Sequence, residues 1–121
     1  MQTFMRALLV FTSLFTAAAA GSTAQAHAFL DHASPLVGST VQTAPHEVVL
    51  TFTQNLEPAF STVEVTGANG RVDQGKASVS GNTMRIGLKT IGAGSYKVNW
   101  HALSVDTHST QGSFTFHVGG P

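Results

Sequence analysis

From residue 47 onward the chain alternates apolar and polar positions with a period of two. In the stretch 47–53, Val48, Leu50 and Phe52 share one phase while Glu47, Thr51 and Thr53 share the other, with Val49 as the exception. Val63 and Val65 alternate with Thr62, Glu64 and Thr66, and Met84, Ile86 and Leu88 alternate with Arg85 and Gly87. Further on, Tyr96, Val98 and Trp100 oppose Lys97, Asn99 and His101, and Phe114, Phe116 and Val118 oppose Thr115 and His117. Successive side chains of an extended strand point to opposite faces. Each stretch therefore predicts a half-buried β-strand, in agreement with its β-branched and aromatic content.

Turn chemistry separates these stretches at Ser34-Pro35, Ala68-Asn69-Gly70, Ser80-Gly81-Asn82 and Gly92-Ala93-Gly94. After residue 26 no window of ten or more residues carries a helical apolar stripe. Short strands with this punctuation in one small domain predict an all-β fold, a β-sandwich with Greek-key connections.

The amino-terminal stretch follows a different rule. Arg6 precedes an uncharged apolar run of 14 residues, Ala7 to Ala20, and Ala24-Gln25-Ala26 forms an A-x-A cleavage site. The run is shorter than the roughly 20 residues that cross a bilayer as a helix. Residues 1–26 are therefore expected to be a cleaved signal peptide, leaving a mature chain of 95 residues, 27–121, with nothing to insert into a membrane. That length suits a single small domain. The absence of cysteine excludes a disulfide framework and a thiolate metal site. Removal of Arg6 leaves five basic and six acidic residues, a net charge near −1. Without a basic patch to neutralise phosphates, nucleic acid is excluded as a partner.

Six histidines survive processing, and their positions separate them. His101 and His117 lie on the polar phase of strands and read as solvated. His46, beside Pro45, reads as a turn residue, and Asp31-His32 is at most a weak metal pair. His27 and His108 differ from these. Cleavage after Ala26 would give His27 a free α-amine beside its imidazole Nδ1, two nitrogens that close a chelate ring on one residue. Such a chelate loses less freedom on binding than two separate ligands would. Asp106 and His108 stand two apart in Val105-Asp106-Thr107-His108, and in extended backbone both would point to one side. Three nitrogens and one carboxylate oxygen suit tetragonal Cu(II), although zinc can use the same donors. Protons compete for such donors, so affinity is expected to fall in mild acid.

The chain resembles the CopC family of periplasmic copper-binding domains. The resemblance is carried by His27-Ala28-Phe29-Leu30, Ser34-Pro35, Gly38, Val49-Leu50-Thr51-Phe52 and Leu56-Glu57-Pro58-Ala59-Phe60-Ser61. It continues through Gly94-Ser95-Tyr96-Lys97-Val98-Asn99-Trp100, Ser104-Val105-Asp106-Thr107-His108 and Gly112-Ser113-Phe114-Thr115-Phe116. It implies an immunoglobulin-like Greek-key β-sandwich in the periplasm. It further implies one Cu(II) ion held by His27, Asp106 and His108, and an inner-membrane copper transporter as partner. Two departures mark this chain. Gln54 stands where some relatives place a glutamate near the copper. Met84, the one methionine left after processing, cannot form the methionine-rich Cu(I) site of other relatives and falls on an apolar phase.

Two other function classes compete with a copper carrier. Lytic polysaccharide monooxygenases also hold copper through an amino-terminal histidine on a β-sandwich, but they need open coordination positions and a broad polysaccharide face. Here Asp106 would fill a position and favour Cu(II), and Tyr96 and Trp100 both lie on the apolar phase. The chain therefore reads as a binding protein and not an enzyme. The remaining class is an adhesion or structural sandwich whose histidines are incidental.

Overall fold

The computed structural model describes residues 28–120. Among the described residues nine strands form two sheets: β1 (Leu30–Ser34), β2 (Thr40–Val41), β3 (Glu47–Phe52), β4 (Thr62–Gly67), β5 (Gly70–Arg71), β6 (Asp73–Ser80), β7 (Thr83–Leu88), β8 (Gly94–Leu103) and β9 (Ser109–Val118). One sheet has the order β1-β3-β7-β6 and the other β2-β9-β8-β4-β5. The chain changes sheet repeatedly, so β3 pairs with β7 and β4 with β8, while β2 joins β9 in the one parallel pairing among the described strands. This is the predicted all-β sandwich. The helical content of the described residues is a single 3-10 turn, Pro58–Phe60.

The period-two positions meet between the sheets. Val48, Leu50 and Phe52 of β3 and Met84, Ile86 and Leu88 of β7 are buried against Val63, Val65, Tyr96, Val98, Trp100, Phe114, Phe116 and Val118 of the other sheet. Phe52 and Trp100 meet edge to face across the interface, with centroids 5.1 Å apart. Met84 is fully buried in this core, as its apolar phase predicts. Gly112 faces Trp100 across the β8–β9 ladder. A Cβ there would come within 2.7 Å of the indole ring, so only glycine lets the ring lie on the backbone.

Besides the two-residue β2 and β5, two longer strands, β1 and β6, lie where the alternation predicts none. β1 buries Ala33 alone, and β6 is mostly exposed and interrupted by a bulge between Asp73 and Ala77. Both are the outer strands of their sheet, paired on one side only. Such strands are held by the ladder bonds of one neighbour and need little apolar content of their own. The β4–β6 region is fastened by Asp73, which is 3 % exposed. Its Oδ2 accepts from Val65 N (2.7 Å) and Arg71 Nε (3.1 Å), and its Oδ1 from Arg71 Nη2 (2.8 Å) and Gly75 N (2.8 Å). Burial alone would raise the Asp73 carboxyl, but the Arg71 guanidinium and the two backbone donors outweigh it and hold the group below the usual carboxylate range.

Candidate metal centre

The loop Ser104–His108 joins the two longest strands, β8 and β9, and closes on itself. Ser104 N donates to the His108 carbonyl (2.9 Å) and Thr107 N to the Ser104 carbonyl (2.9 Å). Thr107 has φ +72°, a left-handed conformation that costs a β-branched residue energy and persists here inside a closed ring of hydrogen bonds. The backbone between Asp106 and His108 is therefore not extended, contrary to the expectation from their spacing. A tight turn, and not a pleated strand, brings the two side chains together.

They do come together. Asp106 Oδ1 lies 3.3 Å from His108 Nδ1, and both side chains remain accessible, at 35 % and 52 % exposure. The same Oδ1 accepts hydrogen bonds from the Ser104 hydroxyl and from His108 N (3.4 Å). The Ser104 hydroxyl holds the Asp106 carboxyl below its ordinary range; desolvation opposes it, and the imidazole and backbone N–H of His108 add to the lowering. The group is thus an anion through ordinary working conditions.

The loop is braced from one side. Val105 N donates to the Asn55 carbonyl (3.0 Å), Glu57 N donates to the Leu103 carbonyl (2.8 Å), and Leu56 bridges to Ser104. The start of the described chain reaches the same end of the sandwich. Ala28 is fully buried and its carbonyl accepts from Thr110 Oγ1 (2.6 Å), two residues beyond His108. Phe29 exchanges hydrogen bonds with Thr53, whose Oγ1 accepts from Phe29 N (3.0 Å) and whose N donates to the Phe29 carbonyl (2.9 Å). His27, like the expected signal peptide, lies outside the described residues. Gln54 is exposed between Thr53 and Asn55, on the segment that braces the loop.

The other histidines stand apart from this centre. His32 pairs with Asp31 at 3.2 Å on exposed β1. His46 is exposed in the bend before β3, His101 is exposed on the outer face of β8, and His117 Nδ1 lies 2.8 Å from Ser95 Oγ on β9. Among the described residues, no group of three or more His, Cys, Asp or Glu side chains could hold a metal ion. A cleft of about 720 Å³ opens instead between β4–β5 and β6, where Glu64, Arg71, Lys76 and His101 line it. It contains neither member of the Asp106–His108 pair, and Arg71 in it is already committed to Asp73.

One anionic oxygen and one imidazole within 3.3 Å of each other can supply two donors of borderline hardness to a divalent first-row ion. Two features of the centre were hidden in the linear sequence. Ser104 is a fully buried hydroxyl bonded to Asp106, and Thr110 anchors Ala28. Serine and threonine are common in strands and turns, so nothing in their type points to these tasks.

Comparison with known proteins places the chain in a wider group. The CopC domain matches residues 30–119. Copper resistance protein C of Pseudomonas syringae pv. tomato is 39 % identical over 125 residues, covering 92 % of this chain and 98 % of that protein. The copper transport protein CutJ of Bacillus subtilis is 31 % identical over 102 residues, covering 80 % of this chain but 19 % of that much longer protein. The crystal structure of PcoC, a methionine-rich copper resistance protein from Escherichia coli, superposes with a TM-score of 0.68 at 33 % identity, covering 78 % of this chain and all of that one.

Proposed function

The chain belongs to the CopC domain family, and from that premise we propose that it is a periplasmic Cu(II)-binding protein, a carrier or buffer in copper resistance or uptake. One ion is held by His27 through its α-amine and imidazole, together with Asp106 and His108. The observation that carries this reading is the Asp106–His108 pair, 3.3 Å apart on an accessible, braced loop. Its support is the hydrogen bond from Thr110 to the Ala28 carbonyl, which fixes the residue next to His27 beside that loop.

The donor set contains no thiolate, and the sole methionine among the described residues is fully buried. That favours Cu(II) over Cu(I). A carboxylate at the ion also opposes a monooxygenase role, since it occupies a position and stabilises the oxidised metal. No helix among the described residues is long and apolar enough to cross a membrane. The partner we propose is an inner-membrane copper transporter, by analogy with the longer protein named for copper transport that contains a related stretch.

The test uses protein exported and processed in cells. Intact mass should show a chain beginning at His27, and electron paramagnetic resonance should show one Cu(II) with nitrogen and oxygen donors. A version with one extra residue before His27 converts the amine to an amide and should bind Cu(II) at least ~100-fold more weakly. Equal affinity of the two forms, or a mature chain starting elsewhere, overturns the chelate. Tighter Cu(I) than Cu(II) binding overturns the carrier reading, and oxygen-driven cleavage of polysaccharide would restore the enzyme.

A further inference from the structure

We propose that Ser104 is a positioning residue for copper binding, its buried hydroxyl holding one oxygen of Asp106 so that the other is left to bind the ion. The inference rests on the ligand reading above and goes beyond it. Ser104 is completely buried, whereas every other part of the loop from Val105 to His108 is exposed. It is therefore the buried side chain from which the loop can be organised.

The hydrogen-bond inventory assigns the direction of its hydroxyl. Ser104 Oγ is close to two acceptors, Asp106 Oδ1 and the His108 carbonyl, the latter at 3.1 Å. A serine has a single O–H to donate. The His108 carbonyl already accepts from Ser104 N at 2.9 Å, while the carboxylate is an anion and the stronger acceptor. The proton therefore goes to Asp106, as a charge-assisted bond. All the contacts of the Asp106 carboxylate among the described residues, to Ser104 Oγ, His108 N and His108 Nδ1, fall on Oδ1. Oδ2 is left for a cation. An exposed aspartate in a loop would otherwise sample several rotamers, and each must be given up when the ion binds. Outer hydrogen bonds of this kind typically change metal affinity by 10- to 100-fold.

The test is a double-mutant cycle on protein with its native His27 terminus, comparing wild type, Ser104→Ala, Asp106→Ala and the double variant by competitive Cu(II) titration and electron paramagnetic resonance. We expect Ser104→Ala to lower Cu(II) affinity about tenfold and to alter the copper spectrum. In the Asp106→Ala background the same change should cost less than about twofold, because the group it acts through is gone. A serine that merely closes the hairpin would give equal losses in both backgrounds, and that result overturns the proposal. So does an unchanged affinity in Ser104→Ala. Full affinity in Asp106→Ala alone removes Asp106 from the ligand set, and the failure then belongs to the parent reading. Urea denaturation monitors folding throughout. If Ser104→Ala does not fold, Ser104→Cys keeps the side chain's size with a weaker donor. Its loss must likewise disappear when Asp106 is removed.

Discussion

Asp73 and Asp106 are the same chemical group in two settings. Asp73 lies between the sheets, with both oxygens taken up by the Arg71 guanidinium and the backbone N–H groups of Val65 and Gly75. Asp106 sits in an accessible loop with one oxygen committed to Ser104 and His108. Both carboxyls are held below the ordinary range, one chiefly by an arginine and backbone donors working against burial, the other chiefly by a serine hydroxyl. A lowered carboxyl is thus no signature of function in this protein. What separates the two is whether an oxygen remains for something that is not protein.

Removing Asp73 should have the largest effect on the fold. Asp73→Ala strands two backbone donors and the arginine, and should cost about 3 kcal/mol in urea denaturation while leaving the Cu(II) affinity of the folded protein unchanged. A copper defect at constant stability would erase the contrast between the two carboxylates. His108→Ala should do the reverse, weakening Cu(II) more than ~100-fold with stability nearly unchanged. Asp106→Asn should follow at about 10- to 100-fold, and within about 0.5 kcal/mol in stability, because the amide oxygen can still accept from Ser104.

Acid sharpens the same comparison. The Asp73 carboxyl is lower in the folded chain than its unfolded value of about 3.9. Its contribution is therefore complete above that value and is lost as pH falls through the folded one. The urea midpoint of the wild type should drop below about pH 4, and Asp73→Asn should flatten that drop. A variant with an unaltered acid profile would mean that other carboxylates carry the acid sensitivity. The smallest effect belongs to His117→Ala, which loses a surface hydrogen bond with Ser95 at 2.8 Å. Cu(II) affinity should be unchanged and stability lower by under about 1 kcal/mol. If it matched His108→Ala in copper binding, the division of the histidines would collapse.

The alternating strands were legible because each buries one face against the opposite sheet, and period two is the physical trace of that burial. Val48, Leu50 and Phe52, or Tyr96, Val98 and Trp100, announce both their strand and their inward side. β1 and β6 were illegible for the converse reason. Their ladder bonds are made by backbone atoms, which every sequence has, and their side chains mostly face water. The donors of the proposed centre were equally visible as residue types, since an imidazole and a carboxylate two apart are chemistry that survives without coordinates.

How those donors are held was decided only by the folded chain. The D-x-H spacing suggested convergence through an extended backbone, yet the side chains meet because Thr107 turns left-handed inside a ring of hydrogen bonds closed by Ser104. Ser104 became a buried anchor, and Asp73 a structural pin, through neighbours distant in the sequence or folded back upon it. Alternation and donor type are properties of single residues and their spacing, and the linear chain carries them whole. Satisfaction of a hydroxyl or a carboxylate depends on which polar atoms surround it, and only tertiary packing assembles those atoms.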